Sequence, residues 1–173
     1  RDAERFCGRY DRVTGDLRVG PEWPAEDLRL LGCVRGIRGS LVIDRAPALR
    51  SLAGLDGLGG DAVLGRVVVK GNPKLEAIGP GMPRSRDLVI AENPSLRSIA
   101  GIPAPVAGGR YVVAGNSQLR RIEGGAARSG TRLAAITVTD NPRLTQVSGF
   151  AGVHGIGTLS ITRNERLVRI EGP

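Results

Sequence analysis

KGNPKLEAI, at residues 70–78, returns with variation down the chain. AENPSLRSI occupies 91–99, AGNSQLRRI 114–122, TDNPRLTQV 139–147 and TRNERLVRI 162–170, while DRAPALRSL at 44–52 is a copy with alanine where the others have asparagine. Aligned on that position the copies read Ala46, Asn72, Asn93, Asn116, Asn141 and Asn164, at intervals of 26, 21, 23, 25 and 23 residues. A self-similar period of this size marks a solenoid, and it outranks other local signals.

Each copy has the same grammar. An alternating trio precedes the asparagine: Leu41-Val42-Ile43, Val67-Val68-Val69, Leu88-Val89-Ile90, Tyr111-Val112-Val113, Ile136-Thr137-Val138 and Leu159-Ser160-Ile161. A leucine follows three residues after it (Leu49, Leu75, Leu96, Leu119, Leu144, Leu167), and another aliphatic three further on (Leu52, Ile78, Ile99, Ile122, Val147, Ile170). The pattern predicts a short strand, a tight turn and a second short extended segment. Strands of about five residues are too short to stand as isolated hairpins, and a return of this length has no room for a crossover helix. Stacking the units in parallel, at ~4.8 Å per coil, gives each strand two neighbours and one continuous core. The expectation is an all-β solenoid of about six coils. The asparagines would stack inside the turn, each amide bonding backbone groups that the turn leaves unpaired and the asparagine of the adjacent coil. Proline after asparagine fixes its own φ and holds its predecessor out of the α region. This reads the column Asn72, Asn93, Asn116, Asn141 and Asn164 as a fold device and not as a ligand site.

The totals agree with one well-cored domain of 173 residues. Aromatics are 3% of residues, so the core rests on aliphatic side chains, and the 26 glycines are scattered through turns and form no linker. No apolar run approaches the ~20 residues of a membrane helix. The formal charge is +8, nearly all of it arginine, since Lys70 and Lys74 are the only lysines. An anionic partner is one reading of that charge. The plainer one is a genome whose codons favour Arg, Ala, Gly and Val. Without a Lys/Arg run or interleaved aromatics, nucleic acid is not expected as a partner. The chain opens at Arg1 with neither Met nor an apolar leader, as a mature fragment would. The connections at 53–66, 100–110 and 123–132 vary in length and composition, as the binding-face loops of solenoids do.

Two further features carry a resemblance. LLGCVRGIRGSLVI at 30–43 joins a cysteine to a strand entry, and the repeated strand–NPxL–I unit is followed by Gly54-Leu55 and Gly149-Phe150. Together with Cys7 upstream they resemble the receptor L domains of the insulin-receptor and epidermal-growth-factor-receptor families, which are right-handed β-helices akin to leucine-rich repeats. The resemblance implies a single domain over 1–173, with an N-terminal cap and first coil at 1–39 and repeats at 40–173. It also implies a short helix at 24–31, a disulfide between Cys7 and Cys33, and an extracellular or cell-surface setting, anchored if at all by a segment outside this sequence. By themselves the two cysteines are compatible with a disulfide or with buried free thiols, and they are too few for a cysteine-only zinc site. The family's closing C-terminal cysteine is missing, as are its cysteine-rich module and kinase, and the third coil lacks the glycines before its strand.

Sites of chemistry are few. No metal or cofactor motif is present, so neither is expected. His154, the only histidine, falls in a Gly-rich turn at 152–157 with no nucleophile arrangement around it. Some β-helices cleave polysaccharides, and Glu92 and Asp140, two coils apart at roughly 9.6 Å, approach the separation of an inverting pair. They lack a third acid and an aromatic platform. Thr137, Thr139, Thr158, Ser160 and Thr162 would line one face of the last two coils, an arrangement that binds ice in longer arrays. The face that invites a partner is the outward one. Val42, Val68, Val89 and Val112 form an apolar stripe of roughly 15 Å at strand spacing, continued by Thr137 and Ser160. It is bordered by Ser40, Arg66, Asp87 and Arg110 on one side and by Asp44, Lys70, Ala91 and Ala114 on the other. An apolar centre with a charged rim is the anatomy of a recognition surface. The expected function is therefore non-catalytic recognition of a protein or glycan ligand, with a structural spacer in a larger assembly as the alternative and a polysaccharide-active enzyme as a remote one.

Overall fold

The computed structural model describes residues 6–58 and 63–171. Within the long 53–66 connection, residues 59–62 lie outside the described residues, as do the first five and last two residues of the expected domain.

The fold is a right-handed parallel β-solenoid with two sheets facing each other across one core. Near the N-terminus, β1 (Arg12–Val13) pairs only with β3 (Gly36–Ile37). The larger sheet stacks β2 (Leu17–Val19), β4 (Leu41–Asp44), β5 (Leu64–Lys70), β7 (Ser85–Ala91), β9 (Arg110–Ala114), β11 (Thr131–Thr139) and β13 (Val153–Thr162) in that order. The smaller sheet stacks β6 (Ala77–Ile78), β8 (Ser98–Ile102), β10 (Arg121–Gly124), β12 (Gln146–Ser148) and β14 (Arg169–Ile170). Every pairing is parallel and joins equivalent positions of successive coils, as in Leu41↔Val67, Val67↔Leu88 and Leu88↔Tyr111. The strand–turn–strand unit read from the repeat is thus the unit that stacks.

Seven strands stand in the larger sheet, against about six expected coils. The additional one, β2, lies in the region expected to hold the cap and first coil. Its coil continues as Gly20-Pro21-Glu22-Trp23, with neither the asparagine nor the leucine, so a column alignment passes over it. The helix expected at 24–31 is instead a 3-10 turn at Arg29–Leu31. The donors that would close a helix go elsewhere: Leu28 N–H reaches Ala53 O on the next coil at 2.9 Å, and Arg29 N–H is taken by the Asp27 carboxylate at 3.0 Å. The Trp23 indole N–H bonds Asp27 O at 2.9 Å and fixes this bend. Cys7 and Cys33 are joined as a disulfide, Cα–Cα 5.5 Å, which ties the N-terminal segment to the end of that turn.

The core follows the predicted columns except in the last coil, where Leu159 is 59% exposed and Ile161 only half-buried, because among the described residues no strand stacks beyond β13. Leu41, Val67, Leu88, Tyr111 and Ile136 are buried, as are Ile43, Val69, Ile90, Val113 and Val138 one step on. Leu49, Leu75, Leu96, Leu119 and Leu144 fill the turn, and Ile78, Ile99, Ile122 and Val147 face them from the smaller sheet. Tyr111 is the one aromatic in its column. It packs edge-on against Phe150, with ring centroids 5.0 Å apart, and its hydroxyl finds no partner among the described residues.

Candidate functional site

The asparagine column is a continuous hydrogen-bonded ladder. The amide oxygen of each asparagine accepts the backbone N–H at the same position of the preceding coil. Asn72 takes Ala46 N–H at 3.0 Å, Asn93 takes Asn72 at 3.0 Å, Asn116 takes Asn93 at 3.1 Å, Asn141 takes Asn116 at 3.1 Å and Asn164 takes Asn141 at 3.0 Å. The amide nitrogens donate back to strand carbonyls of the preceding coil: Ile43, Val69, Ile90, Val113 and Val138 O. The ladder uses both ends of each amide, and Asn72, Asn93, Asn116 and Asn141 are fully buried. A group so occupied has nothing left for a ligand.

The residue ahead of each asparagine has a left-handed backbone: Arg45, Gly71, Glu92, Gly115, Asp140 and Arg163 have φ between 52° and 67°. This conformation turns the chain out of the strand and brings the asparagine under the coil. Only Gly71 and Gly115 adopt it without a Cβ penalty. Glu92 and Asp140 are therefore turn residues. Glu92 pairs with Lys70 at 3.3 Å. Asp140 is gripped by Arg163, whose Nη2 lies 2.8 Å from Oδ2, and the Thr139 hydroxyl donates to the same carboxylate at 3.0 Å. The hydrogen bonds from Arg163 hold the Asp140 carboxyl below the usual carboxylate range. A general acid needs the opposite shift.

The outward stripe is assembled as the alternation required. Val42↔Val68, Val68↔Val89, Val89↔Val112, Val112↔Thr137 and Thr137↔Ser160 are direct cross-strand partners. All four valines are half-buried, while the residues on either side of each point into the core. Arg18, opposite Val42, closes the stripe at the N-terminal end, a position the sequence reading did not include because β2 was not recognised. On one border Arg66, Asp87 and Arg110 stand in register. Arg66 approaches Asp87 at 3.8 Å, and Asp87 accepts the Arg110 backbone N–H at 3.1 Å. On the other border Asp44, Lys70, Ala91 and Ala114 are in register. Ala91, expected on the rim, is buried, since its methyl does not reach past its longer neighbours.

No protein-family model matches the chain, and no curated protein and no solved structure matches it.

Other candidates take their places. His154 lies in β13, not in a turn, exposed, with its Nδ1 accepting Gly130 N–H at 3.1 Å. Gly155 and Gly157 continue the strand, and Gly152 makes the turn before it with φ 87°. Thr139 and Thr162 bond each other through their hydroxyls at 2.9 Å. Among the described residues no group of three or more His, Cys, Asp or Glu is arranged to hold a metal ion, and no helix is long and apolar enough to cross a membrane.

Proposed function

We propose that this chain is a non-catalytic recognition module of receptor L-domain type, belonging to a cell-surface or secreted protein. It binds a protein or glycan ligand through the outer face of the larger sheet. One observation carries the reading: four valines in unbroken cross-strand register, with Arg66, Arg110 and Lys70 at the borders, on a face that water alone would favour as polar. Exposed contiguous apolar surface with a charged rim is what interfaces use. A pocket is not required, because a flat strand face gains affinity from a few central anchors. The Cys7–Cys33 bond supports an oxidising compartment.

The test is a screen of the immobilised chain against secreted ectodomains and a glycan array, run beside the double variant V89D/V112D. Both side chains are partly solvent-facing, so the variant should keep its circular-dichroism spectrum and cooperative melt. Its ligand signal should fall at least tenfold. Undiminished binding by a folded variant would move the site off this face. If the aspartates prevent folding, V89S/V112S makes the same comparison without added charge.

A further inference from the structure

We propose that the smaller sheet carries a binding site for a linear anionic polysaccharide, centred on Arg97 and Arg120. The site is separate from the valine face and does not rest on it. The position two residues before each aliphatic of the smaller sheet forms a column down the solenoid: Arg50, Glu76, Arg97, Arg120 and Thr145. Each backbone N–H in it is bonded to the carbonyl of the residue above, as in Arg97 to Glu76 O at 2.8 Å and Arg120 to Arg97 O at 2.9 Å. This fixes Arg97 and Arg120 one coil apart, ~4.8 Å along the stack.

The upper part of the column is neutralised. Arg50 pairs with Glu76 at 3.3 Å and with Glu26 at 3.5 Å. Arg97 and Arg120 differ, since among the described residues no carboxylate lies within 4 Å of either, although both are exposed and adjacent. Arg121 stands beside them, partly satisfied by Glu123 at 3.2 Å. The three arginines and Ser98 line a surface depression of about 400 Å³, which Glu123 also lines with its carboxylate turned to Arg121. Two stacked like charges repel, and an anion lying between them removes that repulsion. Guanidinium groups suit the planar, multidentate oxygens of carboxylate and sulfate.

Lys74 and Arg143 stand on the turns of the coils before and after those of Arg97 and Arg120, so basic groups recur along the stack and suit a chain bearing anions at intervals better than a single small ion. The chemistry of the depression favours sugar over nucleic acid. The only aromatic residues are Phe6, Tyr10, Trp23, Tyr111 and Phe150. Three belong to the N-terminal segment and the other two are buried in the core, so the groove offers bases no stacking surface.

The experiment is calorimetric titration of the 173-residue chain with a heparin-derived octasaccharide, compared with a single-stranded oligonucleotide of equal charge. Two double variants are measured beside it: R97S/R120S, and R86S/R132S, which removes the same charge from exposed positions on the larger sheet. The proposal expects R97S/R120S to weaken octasaccharide binding at least tenfold and to flatten its salt dependence, the control to weaken it less than threefold, and the oligonucleotide to bind at least tenfold more weakly than the sugar. Equal losses in both variants would reduce the effect to net charge and overturn the site. An oligonucleotide that binds as tightly as the octasaccharide would overturn the ligand class. If R97S/R120S does not fold, R97K/R120K keeps the charge and removes the fork geometry; affinity unchanged in that variant would also overturn the proposal.

Discussion

Replacing Asn93 by alanine tests the ladder at its centre. Three consequences follow from its contacts. The Asn72 backbone N–H, now bonded to Asn93 Oδ1 at 3.0 Å in a fully buried turn, loses its only acceptor. Val69 O and Ala91 O both lose the amide donor, though Ala91 O keeps the Gly71 N–H at 3.1 Å, and Asn116 Oδ1 keeps the backbone N–H of residue 93. One buried donor is thus orphaned outright, at ~1–3 kcal/mol. The void left by the amide adds about 0.5–1 kcal/mol if the coil cannot close over it. The sum, about 1.5–4 kcal/mol, corresponds to a fall in Tm of roughly 3–16 °C for a chain of this size. Asn164→Ala is the internal control. It removes the acceptor of Asn141 N–H, but residue 164 is only half-buried, so water can replace it and the loss should be under ~1 kcal/mol. Urea and thermal melts followed by circular dichroism read both variants. Equal, small losses in the two would refute the claim that burial makes the ladder matter. A larger loss at residue 164 than at residue 93 would refute the assignment of the orphaned donor.

Tyr111→Phe should raise stability by about 1–2 kcal/mol, because the buried hydroxyl has no partner and its desolvation is removed with it; a lower melting temperature would mean that the hydroxyl is satisfied. Intact-mass analysis after alkylation under denaturing, non-reducing conditions should find neither Cys7 nor Cys33 modified. The Cys7→Ser/Cys33→Ser variant should lose ~3–4 kcal/mol on the chain-entropy scaling for a 26-residue separation. The Asp140–Arg163 pair contributes stability at neutral pH, because the Asp140 carboxyl is held below its unfolded value, and that contribution disappears as pH falls through the folded value. Melts of the parent and of Asp140→Asn should therefore differ at pH 7 and converge in acid.

The strand columns, the ladder and the outward stripe were legible because each rests on a period, and a period survives substitution at any one coil. Ala46 shows this: it breaks the asparagine pattern, yet its N–H still enters the ladder as the first donor. The first coil was not legible for the converse reason. It lacks the asparagine and the leucine after it, and only Leu17, Val19 and Leu28 keep the apolar positions of the motif. The 3-10 turn in place of a helix at 24–31 was decided by the Ala53 carbonyl of the next coil, a partner that local propensity cannot see. The left-handed position ahead of the asparagine had a signal, Gly71 and Gly115 in one column, but arginine and carboxylates at the other four places obscured it and drew Glu92 and Asp140 into a catalytic reading. The Arg97–Arg120 pair is not legible in the sequence, because its members lie one coil apart in space and 23 residues apart in the chain, and a net charge carries no position.

The ladder's bonds span 26, 21, 23, 25 and 23 residues, and none spans more than one coil. Among the described residues every segment is therefore answerable only to the segments immediately before and after it, and no hydrogen bond joins the first coil to the last. Excision or duplication of one whole unit, from one asparagine to the next, rejoins equivalent surfaces and leaves every remaining contact of the same kind. Length is then a freely adjustable property of this architecture. A gene encoding it can grow or shrink by single-unit recombination, while a deletion of half a unit would set the strand trio of one coil against the turn of its neighbour and end the stack there.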